Sequence, residues 1–202
     1  MILRSAIVSM RLARDKRDGR CYRPEMPHWE SLMASKKFDH RPGIAPLALH
    51  EEPVRAEWID YNGHMNLAYY VLVFDHGTDA LLAQVGLDDA HREATGGSVF
   101  VVEAHLTYEN EVHEGQRLAV TTQVLGVDEK RLRLFHRMIE VDAGILAATN
   151  EVMILHVDLN TRRTAPWPEA ARRALTALAE AHATLEAPPQ AGRGIAMPAK
   201  RA

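Results

Sequence analysis

Residues Trp58 to Asn66 read Trp-Ile-Asp-Tyr-Asn-Gly-His-Met-Asn, and this stretch decides the fold because it separates two segments of different periodicity. Before it, apolar and charged side chains alternate, which predicts a half-buried strand over residues 54–59. After it, Asn66 is a good N-cap for a helix over residues 67–85, where apolar residues recur at steps of three and four. Gly86 ends that pattern. The stretch is therefore predicted to turn a strand into a long, buried helix.

The rest of the chain adds strands and one more helix. A polar connection is expected over residues 88–97, followed by strands over 98–108, 117–127, 131–141 and 145–158. Short polar segments at 127–130 and 142–144 are typical of hairpin turns, which makes the last three of these strands an antiparallel meander. An Ala-rich pattern after Pro166 predicts a final helix over residues 167–185.

These elements predict the α+β class, with an antiparallel sheet wrapped around one long central helix, because the sheet must cover the helix's broad apolar face. This arrangement is the hotdog fold. An open sheet of this kind leaves an exposed strand edge, which a second copy of the chain can cover. A homodimer is expected, and a tetramer remains open.

The segments on either side of the core have a different character. Residues 1–50 are predicted to be an irregular extension, residues 51–168 the hotdog domain, and residues 169–202 a C-terminal helix and tail. Met33 is a candidate alternative start. A basic targeting peptide is the competing interpretation of the extension, although its acidic residues weaken it.

Composition narrows the functional classes. The formal net charge of -3 argues against a surface built to bind nucleic acid. No apolar run approaches the roughly 20 residues that a membrane-spanning helix needs. The single cysteine, Cys21, cannot form an intrachain disulfide, which favours a reducing compartment. A cytoplasmic protein with no membrane or nucleic-acid partner is expected.

The turn before the helix carries the reactive side chains. Asp60 is the only acid within it, and a carboxylate can attack a carbonyl or deprotonate a water. The backbone amides near Asn66 and Leu67 lie at the predicted helix start, where free N–H groups can bind a carbonyl oxygen. His64 is a further catalytic candidate. Taken singly, Asp60 and Asn66 are equally typical of a turn and a helix cap.

Three segments together resemble a known enzyme family. They are residues 58–70, Val-Val-Glu-Ala-His at 101–105 and Val-Leu-Gly-Val-Asp-Glu-Lys-Arg-Leu at 124–132. They resemble the 4-hydroxybenzoyl-CoA thioesterase-like branch of the hotdog superfamily, and within it they are most similar to the betainyl-CoA thioesterases of carnitine breakdown. The resemblance implies an acyl-CoA thioesterase whose active sites lie between two paired chains. It assigns Asp60 as the catalytic acid and the Leu67 amide as the group that binds the thioester oxygen.

Two sets of residues are candidates for binding the acyl group. Glu103 and His105 lie two apart on a predicted strand and project from one face, which suits them to complete a pocket from the partner chain. A solvated strand face is the alternative. Aromatic rings can enclose a trimethylammonium group, although rings in these positions are also typical of a core. The candidates for this cage are Trp58, Tyr61, Tyr69 and Tyr70.

Basic residues are the candidates for binding the CoA nucleotide, since no glycine-rich phosphate loop is present. They are Lys130, Arg131 and Arg133, with charged strand ends as the alternative. No cofactor and no metal are predicted, because no pair among the 11 histidines has ligand spacing with an acid or cysteine. Ordinary polar roles are predicted for His76, His113, His136 and His156.

Two other functions remain open. One is a hotdog acyl-CoA hydratase or dehydratase, which would move a proton at carbon with an Asp and His pair. The other is a noncatalytic acyl-CoA-binding module. The absence of a Gly-x-Ser-x-Gly elbow excludes a serine hydrolase of the α/β type.

Overall fold

A computed structural model describes residues 46–197 of the 202-residue chain. The predictions about the extension up to residue 45, including the alternative start at Met33, therefore lie outside the described residues. In chain order the elements are β1 (Leu47–Pro53), a 3₁₀ turn (Ala56–Trp58), α1 (Leu67–Gln84), α2 (Asp89–Thr95), β2 (Gly97–Tyr108), β3 (Arg117–Val127), β4 (Arg131–Glu140), β5 (Ile145–Asp158), β6 (Arg163–Thr164) and α3 (Glu169–His182).

The strands form one antiparallel sheet in the order β1-β3-β4-β5-β2, and β6 pairs with β5. This curled sheet with a long helix is the predicted hotdog arrangement, and the meander over β3, β4 and β5 is confirmed. Strands β1 and β2 are the two edges within residues 46–197.

Helix α1 contacts β1, β3, β4 and β5 through one face. Val73, Phe74 and Leu81 on that face are fully buried. The approach is close, since a Cβ built on Gly77 would lie 2.6 Å from Val120 Cγ1 of β3. A larger residue at position 77 would therefore force α1 or Val120 to shift. The opposite face of α1 leaves Leu67, Val71 and Leu72 exposed.

The strand predicted over residues 54–59 is wrong. Val54 and Trp58 are buried as the alternation indicated, but the chain between them turns, with the amide of Trp58 bonded to the carbonyl of Arg55 at 3.0 Å. Ile59 pairs only with Met65, as an isolated bridge. The real edge strand is β1, which begins before the predicted domain boundary at residue 51. Its His-Glu-Glu-Pro end has little strand propensity, so pairing with β3 decides its conformation.

Two smaller differences concern helices. The predicted polar connection over 88–97 contains α2, whose N-cap Asp88 accepts a hydrogen bond from the amide of His91 at 3.0 Å. Its residues have no buried apolar stripe, so periodicity gives no signal. The final helix is shorter than predicted, since it starts after Pro168 and ends at His182. It packs against β3, with Leu175 fully buried beside Trp167. No helix of the described residues is long and apolar enough to cross a membrane.

Candidate active site

The loop between the 3₁₀ turn and α1 is held closed by its own backbone. The amide of Asp60 donates to the carbonyl of His64 at 3.1 Å, and the amide of Gly63 donates to the carbonyl of Asp60 at 3.0 Å. Gly63 has a φ of 83°, a left-handed conformation that favours glycine. At the loop's end, the amide of Asn66 bonds the carbonyl of Trp58 at 2.9 Å. Asp60 is therefore held at a fixed point at the start of this loop, seven positions before the first residue of α1.

The carboxylate of Asp60 is half-buried and oriented by two contacts. One oxygen accepts the amide of Asn62 at 2.8 Å, so the turn role considered for Asp60 is present. The other oxygen lies 3.4 Å from the side-chain nitrogen of Asn66, a longer and weaker contact. This second oxygen is the one left available to act on a substrate or a water.

The start of α1 supplies the hydrogen-bond donor. The side chain of Asn66 accepts the amide of Ala68 at 3.0 Å, which confirms Asn66 as the N-cap. Within residues 46–197 no acceptor takes the amide of Leu67, and the Leu67 side chain is 63% exposed. An accessible N–H at a helix N-terminus, where the helix dipole is positive, can bind a carbonyl oxygen as negative charge develops on it.

Histidines flank the loop in different ways. His64 lies inside it, with Nδ1 3.3 Å from the carbonyl of Met65, a contact that does not direct the ring at Asp60. His113 was predicted to have an ordinary polar role, yet its Nδ1 lies 3.0 Å from the carbonyl of Gly63 and braces the loop. No sequence signal marks this contact, since His113 lies 50 positions from Gly63 along the chain.

The predicted aromatic cage does not assemble within one chain. Trp58 is 3% exposed and stacks on Tyr69 with ring centroids 5.3 Å apart. The guanidinium carbon of Arg55 lies 5.0 Å from the centroid of the Trp58 ring. Tyr70 is also buried, and burial raises the pKa of its hydroxyl. Tyr61, by contrast, is 96% exposed. Trp58 and Tyr70 thus have the core role that was the alternative, whereas Tyr61 extends into solvent.

Glu103 and His105 lie on the free edge strand β2. A β-bulge between Val101 and Glu103 shifts the register against β5, and after it Glu103 is opposite Met153 while His105 is opposite Glu151. The two side chains share a face, as predicted, and Glu103 is exposed. Glu103 is therefore accessible from solvent on this edge strand.

Two of the three proposed CoA-binding cations, Arg131 and Arg133, already have carboxylate partners. Arg131 donates to Asp128 at 2.5 Å within the β3–β4 hairpin. Arg133 donates to Glu151 on β5 at 2.6 Å. Lys130 lies in the same hairpin, where its amide bonds Asp128. These partners favour the strand-end alternative for Arg131 and Arg133, because a phosphate would have to compete with them.

A cavity of about 400 Å³ lies away from this loop, between the end of α1, α2 and the start of β2. Asp79, His91 and Val99 are among its lining residues, and none of the predicted site residues is. Burial raises the pKa of Asp79.

Comparison with known proteins decides the family. Residues 54–175 match the thioesterase-like superfamily. This chain belongs to that family. The chain is 46% identical over 155 residues to the betainyl-CoA thioesterase of Pseudomonas aeruginosa, covering 77% of this chain and 98% of that protein. It is 47% identical over 150 residues, or 74% of this chain, to the L-carnitine dehydrogenase/betainyl-CoA thioesterase of Agrobacterium fabrum, of which it spans 30%.

Among solved structures, the hypothetical protein SAV2348 from Staphylococcus aureus, determined in complex with CoA, is 32% identical with a TM-score of 0.71. The match covers 76% of this chain and 97% of that one. Together these relatives confirm the hotdog fold and a thioesterase. The hydratase alternative is disfavoured, since the matched family and the relatives from Pseudomonas aeruginosa and Agrobacterium fabrum are thioesterases in name.

Proposed function

We propose that this thioesterase hydrolyses betainyl-CoA to betaine and CoA, with Asp60 as the reacting carboxylate. The observation that carries the proposal is that the second oxygen of Asp60 lies 3.4 Å from the side-chain nitrogen of Asn66, the residue before Leu67, whose amide has no acceptor within residues 46–197. The similarity to a betainyl-CoA thioesterase over 98% of that protein's length supports the substrate. The fused dehydrogenase relatives carry the same substrate in their names.

The chemistry follows from these two groups. The Leu67 amide donates to the thioester oxygen and stabilises the negative charge that develops there. Asp60 either attacks the carbonyl carbon and forms an anhydride that water then opens, or it accepts a proton from a water that attacks directly. In both routes the C–S bond breaks, the CoA thiolate leaves and takes a proton, and the acid is released. The same carboxylate position serves both routes.

A homodimer completes the site in this proposal. The free edge β2 exposes Phe100, Val101 and Val102, an apolar run that a second copy can cover by pairing along the strand. The exposed face of α1 is apolar as well. Pairing there brings Glu103 and His105 of one chain toward the Asp60 loop of the other. A carboxylate such as Glu103 would attract the trimethylammonium group of a betainyl thioester.

The proposed compartment is the cytoplasm. Cys21 is unpaired within the chain, as expected in a reducing environment.

Thiol release from a panel of acyl-CoAs tests the reaction. The panel contains betainyl-CoA, short aliphatic and aromatic thioesters, and the proteins are wild type, Asp60→Asn and Asp89→Asn. Asp89 is an exposed carboxylate on α2 and serves as the control. We expect selectivity for betainyl-CoA and a loss of about 10²- to 10⁴-fold in kcat in Asp60→Asn alone. Equal kcat in Asp60→Asn and wild type would remove Asp60 from the mechanism, and binding without hydrolysis would support the noncatalytic module.

Mixing two variants tests whether a site spans two chains. Asp60→Asn and Glu103→Gln are unfolded together and refolded, so that mixed dimers form. If Glu103 acts from the partner, one of the two sites in a mixed dimer keeps both carboxylates, and kcat/KM for betainyl-CoA rises above that of either variant alone. No recovery, with mixed dimers verified by mass, would place both residues in the same chain's site or exclude Glu103.

A further inference from the structure

A cluster of two histidines and one glutamate joins the edge strand β1 to the central helix α1. His50 Nε2 lies 2.8 Å from Glu52 Oε1, and His76 Nδ1 lies 2.5 Å from the same oxygen. The two imidazole rings meet edge to face with centroids 5.3 Å apart. The cluster takes no part in the chemistry of Asp60, because His76 lies nine residues after Leu67, or about 13 Å along the helix.

The three side chains offer a complete set of ligand atoms for a transition metal. One atom from each residue lies within 4.8 Å of the other two. Around a tetrahedral Zn²⁺, with bonds of about 2.0–2.2 Å to nitrogen and oxygen, the ligand atoms lie about 3.3 Å apart. Each contact to Glu52 Oε1 would lengthen by less than about 1 Å to admit the ion. Two imidazoles and one carboxylate, with one position left for water, is a set that zinc uses in proteins.

The surroundings of Glu52 favour an ionised ligand. Glu52 is 8% exposed, and while burial alone would raise its pKa, the hydrogen bonds from His76 and His50 outweigh that effect and lower it. The other carboxylate oxygen faces the guanidinium of Arg55 at 3.6 Å, which leaves Oε1 turned toward the imidazoles. Arg55 is half-exposed, so solvent screens much of its repulsion of a cation. Both imidazoles are partly exposed, so an ion can reach the cluster from solvent.

We propose that His50, Glu52 and His76 form a binding site for one divalent transition-metal ion, for which Zn²⁺ is the probe. Each imidazole binds the ion through the nitrogen that now faces Glu52 and carries its proton on the other ring nitrogen. The ion replaces two hydrogen bonds by three coordinate bonds and so fastens β1 to α1. Its role is structural, since it holds an edge strand that otherwise pairs on one side only, with β3.

Residue spacing predicted no metal here because the ligands come from two distant elements. His50 and Glu52 are one residue apart and lie on the same face of β1. His76 is separated from Glu52 by 24 positions and reaches it only because α1 packs against β1. The site is independent of the proposed function, and its test does not use turnover.

The test is calorimetric titration of ZnCl₂ into the full chain, freed of any affinity tag and dialysed against a chelator. Wild type should bind one ion per chain with saturation. His50→Gln and His76→Gln each retain a side-chain donor for Glu52. Each should weaken zinc binding by more than about 100-fold, which is the upper limit for losing a group that only hydrogen-bonds a metal ligand. His91→Gln removes a histidine outside the cluster and should leave the affinity within about twofold of wild type. Zn²⁺ should raise the Tm of wild type and His91→Gln only.

X-ray absorption at the zinc edge of the loaded wild-type protein gives a measurement that needs no variant. The expected zinc shell contains two imidazole nitrogens and one carboxylate oxygen at about 2.0–2.2 Å. The proposal is overturned if wild type shows no saturable binding of one ion, if His50→Gln and His76→Gln bind as tightly as wild type, or if the zinc shell contains no imidazole.

Discussion

His136 is expected to make the protein sensitive to mild acid. The residue lies on β4 with its side chain fully buried, and burial lowers its pKa from 6.5 to about 3. Both ring nitrogens are used: Nδ1 is 2.9 Å from the hydroxyl of Thr122, and Nε2 is 3.2 Å from that of Thr78. Because Thr78 donates its own proton to the carbonyl of Phe74, we infer that Nε2–H donates and Nδ1 accepts. The pocket is therefore built for a neutral ring.

The folded and unfolded chains take up the proton of His136 at different pH values, and this difference makes the free energy of unfolding depend on pH. The unfolded chain takes it up near pH 6.5, whereas the folded chain does so only near pH 3. Between these values the unfolded state binds more protons, so the free energy of unfolding falls as pH falls, by about 1.4 kcal/mol per pH unit. From pH 7 to pH 5, His136 should therefore lower the free energy of unfolding by about 2 kcal/mol.

Guanidinium unfolding at pH 7, 6 and 5 measures this loss in wild type, His136→Gln and His91→Gln. Other groups also titrate, so the quantity of interest is the difference in slope between variants. His136→Gln should lose about 2 kcal/mol less than wild type over this range, whatever its stability at pH 7. The control should keep the wild-type slope. The same slope in all three proteins, or an NMR titration showing the ring charged at pH 5, would refute the reasoning.

Three further substitutions test the packing and the helix start. Gly77→Ala brings a Cβ against Val120 and should lower the free energy of unfolding by about 1–3 kcal/mol, whereas Gly126→Ala has no heavy atom within 4 Å and should cost less in the same urea titration. Equal losses would show that α1 can shift. Asn66→Ala removes the helix cap and should cost about 1 kcal/mol, which Asn66→Ser, a cap without a second carboxylate beside Asp60, should largely restore. An uncapped variant with wild-type Tm would contradict this. Leu175→Ala should cost about 2–5 kcal/mol and speed proteolysis of the final helix, and unchanged proteolysis would mean that α3 does not depend on this contact.

Much of the fold could be predicted because most strands have a clear sequence pattern and pair with a strand that is close to them in sequence. Strands β3, β4 and β5 have long apolar patterns joined by short hairpins, so each finds its partner close by in sequence. Helix α1 carries both a cap at Asn66 and an apolar stripe. Strand β1 has neither advantage, because its partner β3 lies more than 60 positions away and the second half of its sequence, His-Glu-Glu-Pro, has little strand propensity. The alternating stretch at residues 54–59 therefore gives the stronger strand signal, although the chain turns there.

The candidate site likewise combines residues that are close in sequence with residues that only tertiary packing can bring together. Asp60, Asn66 and Leu67 could be placed together from sequence because the short loop leading into α1 keeps them within seven positions of one another, whatever the rest of the fold does. Glu103 could be placed on a strand face, but the role proposed for it requires the proposed dimer. Sequence patterns report neighbours along one element, whereas contacts between elements follow from tertiary packing.

The cluster of His50, Glu52 and His76 forms through a contact between two elements, which sequence patterns do not predict. Each residue taken alone is an ordinary polar side chain, and the chemistry arises only when α1 is laid against the edge of the sheet. Burial then orients the carboxylate, and the two imidazoles compete for one of its oxygens. If an ion binds there, the edge strand that sequence could not locate is the element whose position it secures. Strand β1 should then be the part of the sheet whose amide hydrogen exchange slows most when Zn²⁺ is added.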